Sequence, residues 1–129
     1  AAKLEAPNRP VLAFMGDNGF LLNLPEVATA TRLESPLVMV VFVDDALSLP
    51  RVAQEQKRYA PLGVALNSMD IPKIAEGLGA LGTAVEDEAG LRMALTDALH
   101  TTKPAIIAAR VNPRGYRRML ERIRGRVER

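Results

Sequence analysis

The sequence contains no cysteine and a single histidine, His100. Without cysteine there are no disulfides, no thiolate metal sites and no cysteine nucleophile. A zinc site or a Ser-His-Asp triad would have to rest on His100 alone. His100 lies at the end of a helical pattern, before Thr-Thr-Lys-Pro. There it is read as a residue favoured by the helix C-terminal dipole rather than as a catalytic one. No apolar run approaches the roughly 20 residues needed to cross a bilayer. The opening Ala-Ala-Lys-Leu-Glu-Ala-Pro lacks the apolar centre of a secretory signal. These absences set the expectation of a cytoplasmic chain with no membrane partner. At 129 residues and 48% hydrophobic, it has the size of one domain and material for a real core.

The net charge of +2 hides an asymmetry. Residues 110–129 hold eight arginines and two glutamates, whereas residues 1–109 hold nine bases and thirteen acids. The basic character belongs to the tail, which is read as a C-terminal helix over 113–129 with Tyr116, Leu120 and Ile123 on one face. Its first reading is a solvated amphipathic helix packed on a parent protein. Contact with an acidic partner subunit and a lid role are the alternatives. Nucleic acid is not expected, because no aromatic platform accompanies the charge.

Strand signals are short and apolar. Pro10–Met15 reads as a strand buried on both faces, and Leu37–Val43 as a central parallel strand. Gly82–Val85 and Ala105–Ala109 read as two more. Helices are expected from Pro25 to about Leu33, within Arg51–Pro61, from Ile71 to Leu78, and from Ala89 to Leu99. Ser68 is the expected cap of the third and Asp87 of the fourth, with Gly79 past the third helix's end. Met15, Met39 and Met93 are expected in the core. The alternation implies an α/β fold, a parallel sheet with helices on both faces. In such sheets ligands bind beyond the carboxyl ends of the strands.

Two acidic sites sit at those ends. Phe14-Met-Gly-Asp-Asn-Gly-Phe20 closes the first strand and Asp44-Asp45 closes the second. Taken alone, an Asp pair after a strand is a solvated turn, and Gly-Asp-Asn-Gly is a turn with Gly16 leaving the strand sharply. Two carboxylates at one sheet edge would repel unless a cation lay between them.

The segment RPVLAFMGDNGFLLNLPEVATATRLESPLVMVVFVDDALSL resembles the cofactor-binding motif of thiamine-diphosphate-dependent enzymes, of the acetolactate synthase and 2-oxo acid decarboxylase group. That motif is Gly-Asp-Gly, a spacer of the length seen here, then Asn-Asn or Asn-Asp at a strand end. Glu26, Thr29, Ala30, Arg32 and Pro36 fall in its frame. The likeness continues through RVAQEQ, DIPKIAEGLGA and KPAIIAARV, to about Val111. The resemblance implies a thiamine-diphosphate-binding fold over 1–112, incomplete at its N-terminus. It implies Mg²⁺ held by Asp17, Asp44 and the Ala46 carbonyl, and diphosphate near Gly16, Asp17, Asn18, Gly19 and Ala46. Mg²⁺ suits such a set, since it takes six oxygens and binds through one or two carboxylates plus phosphate. The backbone N–H groups of Asn18 and Gly19 would face the diphosphate.

Three positions depart from the pattern. Asn18 stands where glycine is usual, Val43 replaces the first Asn, and Leu47-Ser48 replace Tyr-Gly. The implied activity is that of a lyase or transferase acting on small 2-oxo acids by decarboxylation or carboligation. In this family a second domain, often from another subunit, holds the pyrimidine ring and supplies an activating glutamate. No residue here takes that role. The sequence therefore reads as part of a homo-oligomeric parent enzyme and as catalytically silent by itself. The opening AAKLEA, without an initiator methionine, is read as the cut end of a helix, with a processed N-terminus as the alternative. Other readings are a degenerate assembly module of the same fold and a Mg²⁺-binding phospho-receiver domain.

Overall fold

The two longest β-branched and apolar runs become the two central strands of one sheet. The computed structural model describes residues 1–124. β2 (Val38–Val43) and β4 (Ala105–Arg110) pair in parallel, Val38 opposite Ala105 through Val43 opposite Arg110. β1 (Leu12–Gly16) adds to the free side of β2, and β3 (Leu81–Val85) to the free side of β4. The order is β1-β2-β4-β3, all parallel. Both central strands are buried on both faces, as their unbroken apolar composition requires.

The helices are α1 (Ala2–Glu5), α2 (Asp17–Leu22), α3 (Leu24–Arg32), α4 (Ser48–Gln56), α5 (Ile71–Gly77), α6 (Glu88–Leu99) and α7 (Tyr116–Arg124). The step from β1 to β2 and the step from β3 to β4 run in opposite directions across the sheet. Right-handed crossovers then put their helices on opposite faces. The packing agrees. Phe20 and Val27 of α2 and α3, with Ile71 and Ala75 of α5, pack against Met39, Val41, Ile106 and Ala108. On the other face Ala98, Leu91 and Leu95 of α6 meet Val38, Val40, Ile107 and Ala109.

Two compact units result. One comprises Ala1–Val43 with Met69–Val111 and contains the sheet. The second comprises Asp44–Ser68 with Asn112–Arg129. In the second, α4 packs against α7. The Gln54 side chain clamps the loop that follows α4, donating to the Leu62 carbonyl at 3.1 Å and accepting from the Leu62 N–H at 3.2 Å. Leu120 is buried and Tyr116 half-buried on the inner side of α7. The side chain of Ile123, read onto the same face, and residues 125–129 of the expected tail helix lie outside the described residues.

Several expectations are corrected. β1 is an edge strand and is not buried on both faces: Leu12 and Phe14 alternate outward, and Phe14 is 61% exposed. As an edge strand β1 has one neighbour, and across it Phe42 of β2 stacks on Phe14 with ring centroids 6.3 Å apart. The cap of α5 is Asp70, whose Oδ1 accepts the Lys73 N–H at 3.2 Å, and not Ser68. Met93 is exposed. The helix expected within 51–61 starts earlier, at Ser48, and stops at Gln56, where Arg58 turns left-handed with φ 56°. Asp87 caps α6 as expected, accepting the Gly90 N–H at 2.7 Å, and Gly79 ends α5 with φ 83°. His100 follows α6, its Nδ1 2.7 Å from the Thr96 carbonyl. Among the described residues no helix is long and apolar enough to cross a membrane.

Candidate functional site

β1 and β2 deliver their last residues to the same edge of the sheet, because they are parallel and Gly16 pairs with Phe42. The segment after β1 is not the turn its glycines suggest. Gly16 is extended, with φ −82° and ψ 168°, and α2 begins at once with Asp17. Asn18 and Gly19 lie inside that helix, so neither needs a left-handed backbone.

Neither glycine is then required by its backbone angle, although Gly16 is an acceptable N-cap of α2. A Cβ built on Gly16 would meet nothing within 4 Å, and one on Gly19 would make only ordinary contact with Met15 Cβ at 3.5 Å. A glycine inside a helix is destabilising by roughly 0.5–1 kcal/mol relative to alanine. Asp17 is 3% exposed, and its Oδ1 accepts the Asn18 N–H at 2.7 Å. A buried carboxylate in a first helical turn is favoured by the dipole.

The residues after β2 form a tight loop in the second unit. Asp44 Oδ1 accepts the Ala46 N–H at 3.2 Å, and Asp44 Oδ2 accepts the Ser48 hydroxyl at 2.5 Å. Asp45 between them is left-handed, with φ 56°, a conformation that aspartate tolerates better than most residues. Ala46 forms an isolated antiparallel bridge with Ala65. The bridge bonds run from the Leu47 N–H to the Val64 carbonyl and from the Leu66 N–H to the Asp45 carbonyl. They do not consume the Ala46 carbonyl, which is the ligand the resemblance implies.

The sequence-predicted residues thus fall into two groups. Gly16, Asp17, Asn18 and Gly19 belong to the sheet unit; Asp44 and Ala46 open the second unit. Ser48 was missed as a site residue. Its hydroxyl orients Asp44, and its only sequence signal is the four-residue spacing from that acid. Among the described residues no three His, Cys, Asp or Glu side chains converge as a metal cage. The donors present are two carboxylates and a carbonyl, hard oxygens of the kind Mg²⁺ takes together with phosphate and water. Their chemistry and the open space over Gly16 fit a Mg²⁺-diphosphate group.

Comparison with known proteins identifies the family. The family described as thiamine pyrophosphate enzyme, C-terminal TPP binding domain, matches residues 1–109. The chain is 37% identical over 114 residues to a catabolic acetolactate synthase of Raoultella terrigena, covering 88% of this chain and 20% of the relative. It is 34% identical over 106 residues to an acetolactate synthase of Bacillus subtilis, covering 82% of this chain and 19% of the relative. The chain thus spans about a fifth of the length of these curated relatives. A solved thiamine diphosphate-dependent 4-hydroxybenzoylformate decarboxylase of Rhodococcus jostii RHA1 superposes with a TM-score of 0.81 at 25% identity, over 86% of this chain and 21% of that one.

Proposed function

The chain belongs to the C-terminal TPP-binding domain family of thiamine pyrophosphate enzymes, and on that premise we propose that it binds the diphosphate end of thiamine diphosphate with one Mg²⁺. Asp17, Asp44 and the Ala46 carbonyl would hold the metal. The first turn of α2, with Gly16, Asn18 and Gly19, would face the diphosphate. The observation that carries the reading is Gly16, a glycine that neither the backbone angle nor packing requires, beside a buried carboxylate at the carboxyl end of β1.

In this reading the chain's own residues bind and orient. Asp17 supplies charge from a dry position, where it acts more strongly on a cation than a solvated carboxylate would. Ser48 holds Asp44 in one rotamer, so a second oxygen is positioned before the metal arrives. Bound thiamine diphosphate supplies the carbanion chemistry of its enzymes.

The wider proposal is an acetolactate synthase-like enzyme, a lyase or transferase acting on small 2-oxo acids. A pyrimidine-binding domain, from the same or a second chain of a homo-oligomer, would supply the activating glutamate. The test is native mass spectrometry of the chain with Mg²⁺ and thiamine diphosphate. The expected result is an increment of one cofactor plus one metal that disappears in Asp17→Ala. A bare wild-type chain, or an equal adduct in the variant, would overturn the assignment.

A further inference from the structure

We propose that the second unit carries an oxyanion-binding pocket built by α4 and the entry to α7, with Arg51, Arg114 and Arg117 as its cationic groups. The pocket has a volume of about 240 Å³. One wall is a helical stripe, Ser48, Arg51, Val52 and Glu55, at spacings of three, one and three residues that place all four on one side of α4. The other wall includes Arg114 and Arg117, three residues apart, so they sit over one another across the short 3-10 turn Pro113–Gly115. That turn is fixed by Asn112, whose Oδ1 accepts the Arg114 N–H at 3.0 Å.

Three guanidinium groups and one carboxylate therefore line a small space. A cluster of cationic side chains raises the local concentration of anions. Glu55 pairs with Arg51 through the arginine Nε, at 3.1 Å, and Arg117 makes an interaction of its own. The Glu55 bond uses the inner nitrogen of Arg51, and the guanidinium carries four further N–H donors on its terminal nitrogens. Arginine forks match carboxylate and phosphate oxygens in pairs. The volume suits a single such head group. The shared chemistry is a small oxyanion, and phosphate and carboxylate are its two sources.

The test uses the full chain in phosphate-free buffer at constant ionic strength, with chloride as the balancing salt. Inorganic phosphate and acetate are titrated separately while the arginine Nε–Hε resonances are followed by NMR. Saturable shifts at Arg51 and Arg114 are expected, with a dissociation constant below about 10 mM for one of the two probes. The tighter probe identifies the source. Arg51→Gln and Arg114→Gln should each weaken binding about tenfold, the loss of one charge-assisted hydrogen bond. Arg92→Gln on α6 should not. Both test side chains belong to exposed residues, and thermal melts of the variants check that they fold. Linear, unsaturating shifts in the wild type, or unchanged affinity in both variants, would overturn the pocket.

Discussion

The Ser48 hydroxyl donates to Asp44 Oδ2 across 2.5 Å, joining the first turn of α4 to the acid that follows β2 in sequence. Ser48 is buried, so the bond is sheltered from competing water. Hydrogen bonds to charged groups are worth about 1.5–3 kcal/mol. Ser48→Ala should therefore lower unfolding free energy by about 1–2 kcal/mol in urea titrations at neutral pH, with m unchanged. A loss no larger than that of an exposed serine would show that Asp44 is held by other means.

The second prediction concerns pH. Asp70 Oδ2 lies 2.6 Å from Lys73 Nζ. The Lys73 side-chain bond, and then its backbone N–H, hold the Asp70 carboxyl below the usual value, and Asp70 in turn raises the Lys73 ammonium above its own. A lowered acid stabilises the fold above its unfolded pKa, and that contribution fades as pH falls through the folded value. A raised lysine stabilises below its unfolded pKa, and that contribution fades as pH rises through the folded value. The pair thus acts between the two ranges. Asp70→Asn keeps a good helix cap but removes the charge. Its stability deficit should be present at neutral pH and shrink toward zero in acid, in melts run across pH. A deficit constant with pH would mean that the cap geometry alone matters.

Third, two phenylalanines six residues apart should respond unequally. Phe20 is fully buried between α2 and the sheet, whereas Phe14 stands 61% exposed on β1. Phe20→Ala should cost about 3–5 kcal/mol, a transfer loss plus a cavity. Phe14→Ala should cost about 1 kcal/mol, mostly the ring contact with Phe42. Denaturant midpoints of the two variants decide the matter. Equal losses would mean that β1 is covered on its second face in solution.

The contrast between those rings also marks where sequence ceased to be informative. The apolar runs at Leu37–Val43 and Ala105–Ala109 were legible because a strand buried on both faces needs no polar alternation. Pro10–Met15 has the same composition, yet it is an edge. Whether a strand has one neighbour or two is settled by strand order, which no local pattern records. Caps were legible where one candidate stood alone, as with Asp87. They were not where Ser68 and Asp70 competed two residues apart, and the acid took the role with help from Lys73. At the candidate site the spacing of Asp17 and Asp44 was readable. The helical start at Asp17 and the left-handed Asp45 were not, because Gly-Asp-Asn-Gly is equally good turn chemistry.

The last prediction separates glycines kept for the fold from one kept for a ligand. A Cβ on Gly82 would lie 2.4 Å from the Pro72 carbonyl oxygen and 2.6 Å from Pro72 Cα. Those are backbone atoms of α5 and cannot rotate aside. Gly82→Ala must push α5 off β3 and should cost about 3 kcal/mol or more, as severe overpacking does. Gly16 has ordinary angles and open space above it. Gly16→Ala should change stability by less than about 1 kcal/mol, since the lost cap preference and the reduced freedom of the unfolded chain partly cancel. If the proposed cofactor approaches the backbone at Gly16, the same methyl group should weaken Mg²⁺-dependent thiamine diphosphate binding about tenfold or more, measured by calorimetry. A Gly16→Ala chain that is as stable as the wild type and binds as tightly would place the diphosphate elsewhere. One that unfolds would return Gly16 to the fold, and only stability intact with binding lost assigns it to the ligand.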